Sequence, residues 1–328
     1  MRNTCLLADS FCLRHLTGTG HPESPLRFQA IDSILSFKGL KKASNTFKPR
    51  NATPEELLLC HSKEYLQIVE QDIQQCAQMG IFDGSYSLST GDVQICPDSL
   101  QAALIASGAA LTAIDLIMEK KADNVFSYQR PPGHHACRDK GMGFCIFNNA
   151  AIAARYAQIK YEIKHILIVD WDVHHGNGTQ DIFDNDPSVF YFSTHQKGLY
   201  PGTGSRDDRG VGPAEGTKLN FPIVPGAASR LAVLEAFQGP LIEAMQSFKP
   251  ELVLISAGFD AHYLDPLGGF NLTENDFAEL TRLVMQIADQ YAGGKIVSLL
   301  EGGYHLEGLA LSALAHVTTL MDKHIHNN

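Results

Sequence analysis

The sequence predicts an α/β fold in which a mainly parallel sheet is flanked by helices. Three observations support this prediction. Apolar runs of strand length alternate with longer helix-prone segments, several of the runs are continuously apolar, and no repeat or low-complexity linker divides the 328 residues. Strands separated by helices favour one parallel sheet. We therefore expect a single domain over residues 1–328.

Six segments are predicted to be strands of this sheet. They are residues 5–8, 124–128, 165–169, 189–193, 252–256 and 295–299. The third contains the run Ile166-Leu167-Ile168-Val169, which is typical of a strand covered on both faces.

Start signals and alanine-rich segments predict the helices. Thr53 and Glu56 form a capping box, with Pro54 at the first helical position. Thr273, with Asp276 three residues later, marks another helix start. Further helices are predicted at residues 102–118, 150–159 and 310–321.

The composition excludes some classes of protein. The chain is 44% hydrophobic, enough for a large core, and its net charge of -10 argues against general nucleic-acid binding. Its seven cysteines include no Cys-x-x-Cys pair, so we expect reduced, mostly buried thiols. The N-terminal apolar run is too short for a secretory signal, and no stretch is expected to span a membrane. A cytoplasmic location is therefore predicted.

Polar residues follow four of the predicted strands. Ligands of open α/β sheets bind beyond the carboxyl ends of the strands. Each group alone could be a turn, a helix cap, a surface histidine pair or a flexible loop, but their coincidence at four strand ends favours one site. The residues are Arg130, His134 and His135; Asp170, Asp172 and His174; Asp260; and Glu301 and Tyr304.

The residue types at these ends are suited to metal-assisted hydrolysis. If Asp172, His174 and Asp260 bind one ion, they supply the three ligands typical of a catalytic zinc, although ferrous iron or cobalt also accepts this set. Such an ion lowers the pKa of a bound water and polarises a carbonyl. One of the paired histidines could take the proton, and Tyr304 could donate to the developing oxyanion. This chemistry predicts cleavage of an amide.

Other enzyme classes fit the sequence less well. Cys137 or Cys145 beside His134 could act in cysteine catalysis, but that leaves the Asp172, His174 and Asp260 set unexplained. No Gly-x-Ser-x-Gly elbow favours serine hydrolysis, and no Gly-x-Gly-x-x-Gly opening a helix favours dinucleotide binding.

Seven segments between His21 and Ala310 stand out along the chain: HPESPLRFQAI, RPPGHHA, GMGFCIFNNAAIAA, VDWDVHHGNGTQDIF, STHQKGLYPGTG, SAGFDAHYLDPLGG and EGGYHLEGLA. Together, and in this order, they resemble the zinc-dependent histone deacetylases, in particular their class II-like and bacterial branch within the arginase–deacetylase superfamily. The resemblance implies one deacetylase catalytic domain over residues 1–328, with a sheet of about eight strands.

The resemblance also implies roles for the residues at the strand ends. It places zinc on Asp172, His174 and Asp260, the general base at His135, its electrostatic partner at His134, carbonyl binding at Tyr304, and orienting roles at Asp170 and Asn177. Asn177 stands where another branch carries Asp, and a neutral partner raises the pKa of His135 less than a carboxylate would. Arginase-like chemistry would need a second acidic residue after Asp260, where Ala261 and His262 stand instead.

A narrow substrate tunnel and structural potassium are also implied. Phe144 and Tyr200 match aromatic walls that suit a lysine methylene stem. The further implied substrate-binding residues are Gly143, Leu267 and Asp92. The implied potassium sites use Asp170, Asp172, His174, Ser193 and Thr194 in the first, and the carbonyls of Phe183, Asp186 and Val189 in the second.

The function implied is removal of acetyl or short acyl groups from lysine side chains of proteins or peptides. Acetylpolyamine hydrolysis is the alternative, although Leu267 stands where the polyamine-selective branch carries Glu. A non-catalytic acyl-lysine binder would require a broken site, and none of the motif residues is missing. No direct nucleic-acid or membrane partner is expected, and the oligomeric state stays open.

Overall fold

Eight parallel strands form the central sheet of the structure, a computed structural model that describes residues 2–322. In chain order, the strands are β1 Thr4–Leu7, β2 Asn45–Phe47, β3 Tyr86–Ser87, β4 Gln94–Ile95, β5 Asn124–Ser127, β6 Ile166–Asp170, β7 Val189–Gln196, β8 Lys218–Ile223, β9 Leu252–Ala257 and β10 Ile296–Leu300. The order across the central sheet is β2-β1-β5-β10-β9-β6-β7-β8, and a separate antiparallel pair is formed by β3 and β4.

Helices cover both faces of the sheet, and each face has its own apolar cluster. The helices are α1 Pro25–Phe37, α2 Leu40–Ala43, α3 Pro54–Leu57, α4 Lys63–Gln78, α5 Ser99–Met118, α6 Asn149–Tyr161, α7 Asn177–Phe183, α8 Ser229–Ala236, α9 Ile242–Phe248, α10 Glu274–Tyr291 and α11 Leu306–Leu320. One cluster contains side chains from α1, α8, α10 and α11, and the other contains side chains from α4, α5, α6 and α7.

All six strands predicted from the sequence are present, and so are the predicted helix starts at Thr53 and Thr273, each of which has a capping box. The two remaining strands of the large sheet, β2 and β8, were not predicted. Both lie at its edges, where the pattern is weaker because one side has no partner strand. All three residues of β2 are exposed, and in β8 the residues Lys218, Asn220 and Pro222 alternate with apolar ones, so that strand has no continuous apolar run.

One helix bears on the expectation that no stretch spans a membrane. Helix α5 is long and apolar enough to cross a membrane, by length and composition alone. However, 72% of its apolar window is buried inside the domain. Its hydrophobicity is therefore explained by its position in the core, where it packs against α6.

The cysteines are free, as predicted. Six of them are buried, and Cys137 alone among the seven is partly exposed. Core packing accounts for the six buried thiols.

Candidate active site

The four strands whose ends carry the polar groups are neighbours at the centre of the sheet, in the order β5-β10-β9-β6. Their carboxyl ends therefore meet at one edge, as the sequence predicted. A cavity of about 270 Å³ opens there. It is lined by Asp92, His135, Gly143, Phe144, His174, Leu199, Tyr200, Leu267 and Tyr304. All five residues expected to bind substrate therefore line this cavity, together with Leu199, to which the sequence gave no role.

Asp172, His174 and Asp260 converge at this edge. Their ligand atoms lie within 4.8 Å of one another, and all three residues are buried. The Nδ1 of His174 lies 2.9 Å from Asp172 Oδ1 and 3.1 Å from Asp260 Oδ2. Ligand atoms of a tetrahedral zinc are about 3.3 Å apart, because each bond is about 2.0 Å long. The set therefore fits one small divalent cation.

Glycines and main-chain amides hold the two carboxylates in place. Gly302 N donates to Asp172 Oδ2 at 2.7 Å, and Val173 N donates to Asp260 Oδ1 at 2.9 Å. A Cβ on Gly258 would lie 2.2 Å from Asp172 Oδ2, and one on Gly302 would lie 2.0 Å from Asp260 Oδ2. Only glycine fits at these two positions, so the backbone closely defines where the carboxylates lie.

The two neighbouring histidines have different partners. His134 Nδ1 lies 3.0 Å from Asp170 Oδ2, and His135 Nδ1 lies 2.9 Å from Asn177 Oδ1. Both partners accept hydrogen bonds, so both Nδ1 atoms carry the proton. This tautomer leaves the Nε2 lone pair of His135 free to accept a proton. The amide of Asn177 is oriented by its Nδ2, which donates to Cys137 Sγ at 3.3 Å.

The surroundings separate the pKa values of the pair. Burial lowers the pKa of His134, but Asp170, Asp172 and Glu301 outweigh that effect and raise it to about 10. Burial and the charges of His134 and His174 hold the pKa of His135 well below its usual value. The surroundings therefore favour the protonated form of His134 and the neutral form of His135, and this separation is typical of groups with distinct acid–base roles.

Aromatic rings line the cavity. The rings of Phe144 and Tyr304 are 5.9 Å apart, and the ring of Tyr200 meets that of His135 edge-on at 5.2 Å. The hydroxyl of Tyr200 donates to Asp92 Oδ1 at 3.2 Å, and Gly143 N donates to the same oxygen at 2.9 Å. Asp92 thus ties the two sides of the cavity together at its exposed end.

Tyr304 is held by contacts outside the cavity. Its main-chain N donates to Asp265 Oδ2 at 2.6 Å, and the guanidinium of Arg27 lies 4.9 Å from its ring centroid. Within residues 2–322 its hydroxyl has no hydrogen-bond partner. The hydroxyl is therefore available to a ligand in the cavity.

Sequence reasoning gave no role to several buried residues that support the site. Arg27 Nε donates to Gly303 O at 2.7 Å, and Arg27 Nη1 donates to Glu23 Oε1 at 3.0 Å. Glu301 Oε2 accepts from the main-chain N of Gly133 at 2.7 Å and of His134 at 3.0 Å. Glu23, Arg27 and Glu301 all lie within the segments that carry the family resemblance. Their ionisable side chains in those segments were the sequence signal that could have indicated a supporting role.

Tyr191 is a further supporting residue that the sequence did not reveal. Its hydroxyl donates to Asp170 Oδ2 at 3.0 Å, so the carboxylate that contacts His134 has a second partner. Tyr191 lies within the apolar strand β7, where nothing in the pattern distinguishes it from a core residue.

The residues of the two implied potassium sites lie at the end of β6 and in the segment after it, at the end of α7 and in the segment after it, and on β7. In the first set, Asp170 pairs in register with Ser193, which precedes Thr194. In the second set, the carbonyls of Asp186 and Val189 accept hydrogen bonds from Lys218 Nζ at 3.3 and 3.0 Å. The Phe183 carbonyl accepts from the Asp186 main-chain N at 2.9 Å.

The cysteine alternative is disfavoured by the thiols themselves. Burial raises the pKa of Cys137 to about 12, and burial also raises the pKa of Cys145 well above its usual value. A thiol nucleophile needs the thiolate at neutral pH. Neither cysteine is activated in that way.

Comparison with known proteins identifies the family. The family model described as "Histone deacetylase domain" matches residues 21–320 of the chain. The chain belongs to the histone deacetylase family. The histone deacetylase 14 of Arabidopsis thaliana, a chloroplastic protein, is 39% identical over 303 residues, which cover 89% of this deacetylase and 71% of the relative. The polyamine deacetylase HDAC10 of Mus musculus is also 39% identical, over 91% of this deacetylase and 45% of the relative.

A solved structure confirms the fold of the deacetylase. The crystal structure of the HDA15 HD domain superposes with a TM-score of 0.89 at 36% identity, over 97% of this chain and 91% of that chain. The resemblance recognised in the sequence is thereby confirmed, as is the prediction of an eight-stranded parallel sheet flanked by helices. The chain is a hydrolytic deacetylase.

Proposed function

We propose that this enzyme is a metal-dependent lysine deacetylase, which removes acetyl or short acyl groups from lysine side chains of proteins or peptides. One observation carries the proposal. Three buried ligand atoms, from Asp172, His174 and Asp260, converge beside a cavity walled by aromatic rings and lined by His135 and Tyr304. We propose that residues 1–328 act as one catalytic domain.

Asp172, His174 and Asp260 would hold the ion, and zinc fits their two oxygens and one nitrogen. When bound, the ion supplies Lewis acidity, which lowers the pKa of water and polarises the scissile carbonyl. The same ligands also suit ferrous iron or cobalt.

The side chains beside the ligands supply the proton chemistry. His135 is neutral, and its Nδ1 proton is held by Asn177, so its Nε2 takes the proton of the attacking water and later delivers it to the leaving amine. His134 stays cationic between Asp170 and Asp172 and stabilises the anionic transition state. The hydroxyl of Tyr304 donates to the oxygen on which negative charge develops.

The cavity selects a long, thin substrate side chain. Phe144 and Tyr200 contribute apolar ring faces to the methylene stem of acetyl-lysine, and Leu267 adds apolar surface. Gly143 brings its backbone close to His135, where a Cβ would lie 2.3 Å from the imidazole Cδ2. Asp92 stands exposed beside Tyr200, where its second oxygen can accept from a main-chain amide of the substrate.

Binding of a structural potassium ion also belongs to the proposal. A potassium ion bound by Asp170, Ser193 and Thr194, with the carbonyls of Asp172 and His174, would stabilise the segment that carries the ligands. The cytoplasmic location and the absence of nucleic-acid and membrane partners stay predictions, and the oligomeric state stays open.

Substitution of Tyr304 tests the proposed function. In Tyr304→Phe we expect kcat on an acetyl-lysine peptide to fall by about 100-fold or more, as for the loss of an oxyanion donor. Bound metal, measured by mass spectrometry, should stay at the wild-type level. Tyr263→Phe is the matched control, because Tyr263 is 54% exposed and does not line the cavity. Wild-type kcat in Tyr304→Phe would contradict the proposal.

Acetylpolyamine hydrolysis is the second candidate, because one of the relatives at 39% identity is a polyamine deacetylase. The cavity argues for the lysine substrate, since Leu267 offers no charge to a cationic amine. The ratio of kcat/KM on acetyl-lysine peptide to that on acetylputrescine distinguishes the two candidates. A ratio below one would favour the polyamine.

A further inference from the structure

Lys218 places a positive charge among main-chain oxygens inside the domain. It is the first residue of β8 and is 1% exposed. Its Nζ donates to the Val189 carbonyl at 3.0 Å, to the Asp186 carbonyl at 3.3 Å and to the Thr217 hydroxyl at 2.8 Å. Three acceptors match the three protons of an ammonium group.

A buried lysine is costly unless its charge is compensated. Burial lowers the pKa of Lys218 to about 8, while Asp186 and Asp184 act in the opposite direction. Within residues 2–322, no carboxylate oxygen lies within ion-pair distance of the Lys218 ammonium. The main-chain carbonyls therefore solvate this cation in the way that carbonyl oxygens solvate a potassium ion.

The position of this ammonium is informative because Asp186 and Val189 belong to the second set of carbonyls at which the resemblance implies potassium. We propose that Lys218 replaces the monovalent cation at this set. The chain then carries its own charge between the end of α7 and the start of β7. The enzyme should bind one monovalent cation fewer than a relative with two potassium sites.

The location gives this charge a positioning role. Helix α7 begins at Asn177, whose side chain contacts His135, and it ends at Phe183 beside the Lys218 contacts. A cation near the C-terminal end of a helix also interacts favourably with its dipole. Lys218 acts on the reaction only through α7, and this role is independent of which acetylated substrate the enzyme uses.

Thallium binding tests the replacement directly, because Tl⁺ can be counted as a substitute for K⁺. The wild type, Lys218→Ala and Lys218→Met are equilibrated with thallium acetate, and the bound ions per chain are measured by mass spectrometry. We expect Lys218→Ala to bind about one ion more than the wild type, since it frees the carbonyls and leaves space for an ion. Lys218→Met keeps the carbon stem and should bind fewer ions than Lys218→Ala.

Rescue of stability provides the second readout. The melting temperature of Lys218→Ala should rise more than that of the wild type when K⁺ replaces choline, because a cation that binds the native state stabilises it. Deacetylase kcat/KM of the variant should fall about tenfold in choline and recover in K⁺. Lys295→Ala is the matched control, because half-buried Lys295 donates to a single carbonyl, that of Ala292, at 2.6 Å.

The outcomes separate the proposal from a merely structural lysine. Equal thallium binding by the wild type and both variants would overturn it, as would a loss of stability in Lys218→Ala that is identical in K⁺ and choline. If Lys218→Ala does not fold in choline, its recovery on refolding in K⁺ supports the proposal, and failure to fold in either salt overturns it.

Discussion

Adding one methyl group at Gly302 should damage the metal site without changing any ligand. In Gly302→Ala the new Cβ would lie 2.0 Å from Asp260 Oδ2 and 2.6 Å from Asp172 Oδ2, although real Cβ atoms stay at least 3.0 Å from their neighbours. Asp260 must therefore retreat by about 1 Å. Metal–ligand distances tolerate only about 0.2 Å. A displacement of that size breaks the coordination of one carboxylate.

We expect kcat/KM of Gly302→Ala on an acetyl-lysine peptide to fall by about 100-fold, the loss typical of a 1 Å misplacement. Bound metal, measured after dialysis against a weak chelator, should fall in parallel. Gly239→Ala is the matched control, since a Cβ there meets nothing within 4 Å. If Gly302→Ala keeps wild-type metal content and kcat/KM within about twofold, the carboxylates are not confined as the structure indicates.

Three further predictions concern the cavity and its supports. In Tyr200→Phe, loss of the hydrogen bond to Asp92 should raise the KM for acetyl-lysine peptides about fivefold, with little change in kcat. Steady-state kinetics measure both constants, and a lower kcat at constant KM would contradict this prediction. In Leu267→Glu, the ratio of kcat/KM for acetylputrescine to that for acetyl-lysine peptide should rise about tenfold, because the new carboxylate can bind the free amine of acetylputrescine. An unchanged ratio would contradict this prediction. Burial raises the pKa of Glu23, but Arg130 and Arg27 outweigh this effect and hold the pKa at about 2. The ionised Glu23 therefore stabilises the fold fully above the pKa that this residue has in the unfolded state, and this stabilisation is lost as the pH falls through about 2. Glu23→Gln should therefore lower the free energy of unfolding in urea by about 3–5 kcal/mol at pH 7, and by less at pH 3; equal losses at both pH values would contradict this explanation.

The central strands and their polar ends could be predicted from the sequence because both signals are local. A strand buried on two faces is continuously apolar, as in β6, and the acids after it interrupt that run sharply. Asp172 and His174 lie two residues apart, so their proximity follows from the geometry of an extended segment. Asp260 joins them because β9 pairs with β6 in the sheet.

The edge of the sheet and the supports of the site could not be predicted in the same way. Strand β2 is exposed at every position and has no apolar pattern to detect. Glu23 and Arg130 are 107 residues apart in the chain, and their contact depends on the tertiary fold alone. Lys218 looks like an ordinary surface residue until the carbonyls that surround it are known.

Metal titration tests the central claim most directly. Chelator-treated enzyme is titrated with zinc, and bound ions per chain and the rate of acetate release are followed together. If Asp172, His174 and Asp260 hold a single catalytic ion, activity should rise linearly and level off at about one zinc per chain. Full activity in protein without divalent metal, or a second zinc required for turnover, would contradict the account.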